Sequence, residues 1–316
     1  PAFMKARAIE SSSFPGTYIR VPVRLFARRW IPENDSPRAV VQISHGMAEH
    51  SGRYGWTAER LVEAGYEVWA DDHRGHGETA RGGLLGHPAD ADGFFRVVRD
   101  LELWTDAIAA RRPGTPVFLL GHSWGSFLAQ AYIERSGGRL AGCALSGTMG
   151  PGGPIVAVGA VVATVVAALG GPSRHSPLLR ALADGGANAK FKPNRTAFDW
   201  TSRDESSVDA YAADPLCGFK CSAAFYRDLA RGLLAVHAPA AMDRIPKDLP
   251  LYVFCGGRDP IGHEGRSPAA LVEEYRRRGI ADLEFVLYPD ARHETLQETN
   301  RNEVAAALVA WLRRHS

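Results

Sequence analysis

Short continuous apolar runs alternate with longer helical patterns along most of this 316-residue chain. Runs at residues 39–44, 66–70, 117–120, 140–145, 251–255 and 283–288 read as strands buried on both faces, the pattern of a parallel sheet. Residues 56–64, 94–111, 126–135, 268–278 and 303–313 read as helices. This alternation predicts an α/β chain, a mostly parallel central sheet covered by helices on both sides. Residues 17–30 read as edge strands, where Pro22 is tolerated.

The alternation breaks after Ser146. From Gly147 to about Arg244 no strand is clear; the stretch is rich in Gly, Ala and Pro and then in helical patches, and strands resume at Leu251. Three parts are expected: a first part of the core at 1–147, a mostly helical cap inserted at 148–245, and a second part of the core at 246–316. Inside the insertion, residues 155–169 read IVAVGAVVATVVAAL. The run is short for a membrane span, which needs roughly 20 residues. A helix apolar on every face is also not a fully solvated one.

The strongest local motif is Gly121-His122-Ser123-Trp124-Gly125, set between a predicted strand and a predicted helix. Small residues allow a sharp strand-to-helix turn that lifts the serine hydroxyl above the sheet, beside a helix N-terminus. A serine at neutral pH needs a base. On such a scaffold the acid and then the histidine come from loops after later strands. Asp259 follows the strand at 251–255, and His293 follows the strand at 283–288. Of the other late histidines, His237 lies in the insertion, His263 shares the loop of Asp259, and His315 is the penultimate residue. The candidate set is Ser123 as nucleophile, Asp259 as acid and His293 as base.

The strand at 39–44 ends in His45-Gly46-Met47-Ala48-Glu49-His50. A His-Gly step there brings a backbone amide toward the nucleophile, so the amides of Met47 and Trp124 are the expected oxyanion donors. His45 reads as a residue that orders this loop. Asp72-His73-Arg74-Gly75-His76-Gly77 has the look of a metal cluster, but its two glycines argue for a tight turn. No metal is expected.

Charge and cysteines narrow the field. The net charge of +2 is too small to imply a nucleic acid or an anionic surface as partner. Hydrophobic residues at 45% and charged residues at 23% are ordinary globular usage. The four cysteines form no CxxC pair; Cys217 and Cys221 stand four apart with no His/Cys cluster beside them in sequence. They read as reduced thiols of a cytosolic protein. Residues 1–10 lack the apolar core of a signal peptide.

His45-Gly46, Glu49-His50-Ser51-Gly52-Arg53-Tyr54, Asp72 to Gly77 and the Ser123 motif together resemble the monoglyceride lipase and lysophospholipase group of α/β-hydrolases. Gly257-Arg258-Asp259-Pro260, Arg292-His293-Glu294 and Ala213-Asp214-Pro215-Leu216-Cys217 fit bacterial members. The resemblance covers nearly the whole chain and is weakest at 150–187. It implies an α/β-hydrolase fold with a helical cap, a serine acyl-enzyme mechanism on monoacylglycerols, lysophospholipids or similar single-chain acyl esters, and no cofactor. It also implies an alcohol pocket near Glu49 and Arg53, whose plainer reading is a surface ion pair. Met47 and Trp124 are larger than the residues common in the eukaryotic lipases and are expected to narrow the acyl site. Leu296 stands where those lipases place a glycerol-contacting histidine.

The residues 155–169 are then expected to line the acyl channel, exposed at its rim, with transient contact to a lipid surface. The protein is expected in the cytoplasm or peripherally at a membrane. Haloalkane dehalogenases and epoxide hydrolases share the scaffold but use an aspartate nucleophile. A general carboxylesterase, a cofactor-free haloperoxidase and a ligand-binding receptor are the remaining alternatives.

Overall fold

The computed structural model describes residues 23–183 and 186–316. The edge-strand expectation for residues 17–22, Pro22 included, lies outside them. The strands are β1 (Phe26–Trp30), β2 (Val40–Ser44), β3 (Glu67–Asp72), β4 (Val117–His122), β5 (Gly142–Ser146), β6 (Leu251–Gly256) and β7 (Leu283–Tyr288). They form one sheet in the order β1-β3-β2-β4-β5-β6-β7, with only β1 antiparallel to its neighbour. The carboxyl ends of the six parallel strands therefore share one edge, where open α/β sheets bind ligands.

The α-helices are α1 (Gly55–Glu63), α2 (Gly93–Arg111), α3 (Trp124–Ser136), α4 (Pro154–Gly170), α5 (Pro177–Ala183), α6 (Glu205–Ala213), α7 (Ala223–Val236), α8 (Pro239–Met242), α9 (Arg266–Arg277) and α10 (Arg301–His315). One face of the sheet buries Leu101, Leu128, Tyr132 and Leu271 from α2, α3 and α9. The other buries Leu61, Leu308 and Trp311 from α1 and α10. β2 and β4 to β6 are buried at every position, so they carry no alternation. β4 runs two residues beyond the expected 117–120, because Gly121 and His122 still pair with Leu145 and Ser146 of β5.

Between β5 and β6 the chain is helical, and it is not one layer. α7 packs against α2, α3 and α4. Its Phe225, Leu233 and Val236 join the main core. α4 rests on α7 through the small face Ala160, Ala163 and Ala167, one helical stripe. The opposite side leaves Ile155, Val158, Val161, Val165 and Leu169 exposed, with Leu178 and Leu182 of α5. Among the described residues no helix is long and apolar enough to cross a membrane.

Candidate active site

The turn between β4 and α3 leaves no room for side chains at its two glycines. A Cβ on Gly121 would lie 2.5 Å from the Gly125 carbonyl oxygen, and one on Gly125 would lie 2.1 Å from that of Ser44. Ser123 sits at φ 51°, ψ −121°, a conformation that L-residues rarely adopt. Its N–H donates to the Ser146 carbonyl at 2.9 Å. Strain of this kind persists where surrounding structure over-determines it, and here it points the hydroxyl out of the sheet.

The loops after β6 and β7 are pressed together in the same way. A Cβ on Gly256 would lie 2.1 Å from the Arg292 carbonyl oxygen, and one on Gly257 would lie 2.5 Å from that of Pro289. This brings Asp259 and His293 together. Ser123 Oγ lies 2.8 Å from His293 Nε2, and His293 Nδ1 lies 2.9 Å from Asp259 Oδ2. Asp259 is fully buried, and its other oxygen accepts from the Ile261 amide at 2.8 Å. Burial opposes a charge on His293, but Asp259 outweighs it, so the imidazole pKa is raised above its ordinary value. A hydroxyl aimed at a ring held from behind by a buried carboxylate can pass its proton to that ring. His263 is exposed on the loop of Asp259. His237 contacts Gln130, and His315 contacts Trp311 and Asp282, so neither is at Ser123.

The oxyanion candidates flank Ser123. Trp124 opens α3, whose first amides have no acceptor within the helix. Met47 lines the cavity above Ser123. Its loop is held by Glu49, whose Oε1 accepts from the Gly46 amide at 2.5 Å. His45 is buried with both nitrogens engaged, Nδ1 with the Gly46 carbonyl and Nε2 as acceptor of the His73 amide. Burial, His73 and His76 hold its pKa well below the ordinary value, so it is neutral and orders the loop.

Glu49 and Arg53 are not a surface pair. Arg53 donates to Glu49 Oε2 at 2.6 Å and, through two nitrogens, to both oxygens of Glu294 at 2.9 and 2.6 Å. The Tyr211 ring lies 4.6 Å from the Arg53 guanidinium carbon, and Tyr54 donates to Glu49 Oε1 at 2.9 Å. Burial works against the charge on Arg53, but Glu294 and Glu49 outweigh it and raise its pKa further. Burial also works against Glu49, yet Arg53, His122 and the bonds from Gly46 and Tyr54 leave its carboxyl below the usual range. Glu49 and Glu294 face the cavity, whereas Arg53 and Leu296 stand behind them. The sequence reading missed Glu294; its one signal was its place next to His293.

The cavity over Ser123 has a volume of about 470 Å³, within the usual range for small-molecule sites. Its apolar wall comes from Pro177 and Ala181 of α5 and from Phe198, Trp200, Phe219 and Tyr226. The Trp200 ring lies 5.1 Å from that of His293, and the Glu294 amide donates to the Thr201 carbonyl at 2.7 Å. Two expectations fail here. No residue of α4 lines this cavity, because its small face is taken by α7 and its large residues point outward. The Trp124 side chain does not narrow it either; it is buried against His73, His76 and Phe225, with ring centroids 5.3, 5.0 and 4.9 Å away.

Two clusters could suggest a metal. Asp72 accepts from the amides of Ser51 and Glu78, and His73 spans Asp71 and Ser44, so both serve the turn. Folding also brings His50 and Asp214 to Cys217, which the sequence spacing did not reveal. There His50 Nε2 lies 2.9 Å from Asp214 Oδ2, and Nδ1 accepts from the Gly52 amide. Burial raises the Cys217 thiol pKa, which disfavours the thiolate a metal needs.

The family profile described as serine aminopeptidase, S33, matches residues 35–300. A monoacylglycerol lipase of Mycolicibacterium smegmatis is 31% identical over 93% of this chain and 94% of its own length. Phospholipase YtpA of Bacillus subtilis is 30% identical over 89% of this chain and 98% of its own. Among solved structures, a thermostable carboxyl esterase from Bacillus coagulans in complex with glycerol superposes with a TM-score of 0.85, at 25% identity over 99% of both chains.

Proposed function

The chain belongs to the serine aminopeptidase S33 family of α/β-hydrolases, and from that membership we propose a carboxylic-ester hydrolase that cleaves single-chain acyl esters, monoacylglycerols first. The observation that carries this reading is the Ser123–His293–Asp259 line at the floor of a cavity with one apolar wall and one carboxylate end. Ser123 attacks the ester carbonyl while His293 takes its proton. The amides of Met47 and Trp124 hold the oxyanion, and Asp259 stabilises the imidazolium. His293 then protonates the leaving alcohol, and water repeats the sequence on the acyl-enzyme. Every proton and electron pair comes from the chain, the ester or water.

The alcohol must leave beside His293, next to Glu49 and Glu294. An ionised carboxylate has about four acceptor sites. Glu49 gives three of its own to Gly46, Tyr54 and Arg53, and Glu294 gives two to Arg53. The remainder suits the free hydroxyls of glycerol and offsets the loss of an imidazole at Leu296. A lysophospholipid is the second reading, supported by the likeness to phospholipase YtpA. The exposed apolar face of α4 and α5 fits a lipid surface, because α5 also walls the cavity and joins the two.

The test is a matched decanoyl series: glycerol ester, methyl ester and lysophosphatidylcholine. The glycerol ester is expected to exceed the methyl ester in kcat/KM by at least about tenfold. Equal values would remove the glycerol assignment, and a preference for the lysophospholipid would promote the second reading.

A further inference from the structure

Among the described residues, Arg53 is the one cation held against the alcohol end, and it stands behind carboxylates that face the substrate. It lies behind Glu49 and Glu294 and gives them three hydrogen bonds, with the Tyr211 ring beside its guanidinium. Counting formal charges, two carboxylates against one guanidinium leave this end one unit negative. Tyr54 and Tyr211, whose pKa values burial raises, add no charge at neutral pH, and neither does His122, whose pKa is lowered to about 4 by burial and by His293. The basic residues that line the cavity, Arg180 and Lys220, are half-buried and exposed respectively and belong to its cap-side wall. We propose that Glu294, by closing Arg53 off together with Glu49, makes the alcohol end an anion filter. Esters of neutral alcohols enter, and esters whose leaving alcohol carries a phosphate or carboxylate are rejected.

The proposal rests on the ester-hydrolase reading and on the alcohol leaving beside His293, and it decides against the lysophospholipid reading, whose leaving alcohol carries a phosphate. Glu294 acts here as a specificity-determining and positioning residue. A carboxylate one residue from the base neutralises the cation that would otherwise welcome a phosphate. A unit charge roughly 6–12 Å away, at the effective dielectric of a protein surface, discriminates by roughly ten- to a hundredfold.

The experiment compares four decanoyl esters below their aggregation concentrations: glycerol, diglycerol, glycerol 3-phosphate and methyl. Wild-type enzyme is expected to use the phosphate ester at least about thirtyfold less well than the glycerol ester, and the bulkier neutral diglycerol ester nearly as well as glycerol. Glu294→Gln is expected to shrink the phosphate gap at least about fivefold, whatever its effect on absolute rates. A wild-type phosphate gap under threefold overturns the proposal, as does equal rejection of diglycerol, which makes the filter one of bulk. So does a gap unchanged in folded Glu294→Gln; should that variant not fold, the wild-type comparisons decide alone. If glycerol proves no better than methyl, the monoacylglycerol assignment fails, while phosphate against methyl still judges the filter.

Discussion

The strand ends and the helical stretch between β5 and β6 obey opposite packing rules. At the strand ends, glycines sit where a Cβ would fall 2.1–2.5 Å from a backbone oxygen, and Ser123 is held at positive φ. In α4, by contrast, a Cβ on Gly159 would meet nothing within 4 Å, and large apolar side chains face outward. The first region can hold atoms to a fraction of an ångström, which the proposed proton transfer between Ser123 and His293 would require. The second cannot, but it offers surface and a replaceable cavity wall. On the proposed reading, chemistry falls to the rigid edge and substrate delivery to the cover.

The sharpest way to break this division is at the rigid edge. Ser123→Ala and His293→Ala are each expected to lower kcat by roughly 10⁴–10⁶-fold, and the double variant to lose little more, because the residues act as a unit. Fluorophosphonate labelling should occur at Ser123 and vanish in Ser123→Ala. Near-normal kcat in His293→Ala would remove the whole assignment, since His263 and His237 lie elsewhere.

A smaller effect tests the same edge through pH. The base must be neutral to accept a proton, so kcat/KM should rise about tenfold per pH unit below its pKa. Burial alone would place that pKa below the histidine reference of about 6.5, but Asp259 outweighs burial and raises it. The inflection is therefore expected above about 6.5, and in Asp259→Asn it should move down as activity falls. A wild-type inflection well below 6, with chemistry rate-limiting, would mean that burial wins and Asp259 does not stabilise the charge.

What the sequence revealed follows the same division. Strand ends are written in local chemistry: apolar runs, then glycines, then one reactive side chain. The Ser123 turn and the loops of Asp259 and His293 were therefore readable within a residue or two. The helical stretch has no such grammar. α5 and α6 are short, and the small face of α4 is apolar like the rest of it, so periodicity could not say which side meets α7. Glu294 and the His50–Asp214–Cys217 cluster depend on contacts across 241 and 164 positions of chain, which no local pattern carries.

The mildest prediction concerns the cover. Val161 and Val165 are 64% and 50% exposed, lie on the side of α4 away from α7, and do not line the cavity. Val161→Asp should accordingly leave the fold and the hydrolysis of dissolved p-nitrophenyl butyrate within about twofold of wild type, as exposed substitutions usually do. On a lipid surface the same change removes a buried apolar side chain, worth about 1.5 kcal/mol or more, and sets a charge in its place. Sedimentation with phosphatidylcholine vesicles should fall roughly tenfold, and turnover of vesicle-borne monoacylglycerol should fall with it. A drop for butyrate as large as for the vesicle-borne ester, in a folded variant, would return Val161 to the channel. Unchanged sedimentation would leave the apolar face of α4 without a lipid role. The outcome separates a wall that shapes the substrate from a surface that collects it, and the outward direction of these valines argues for the surface.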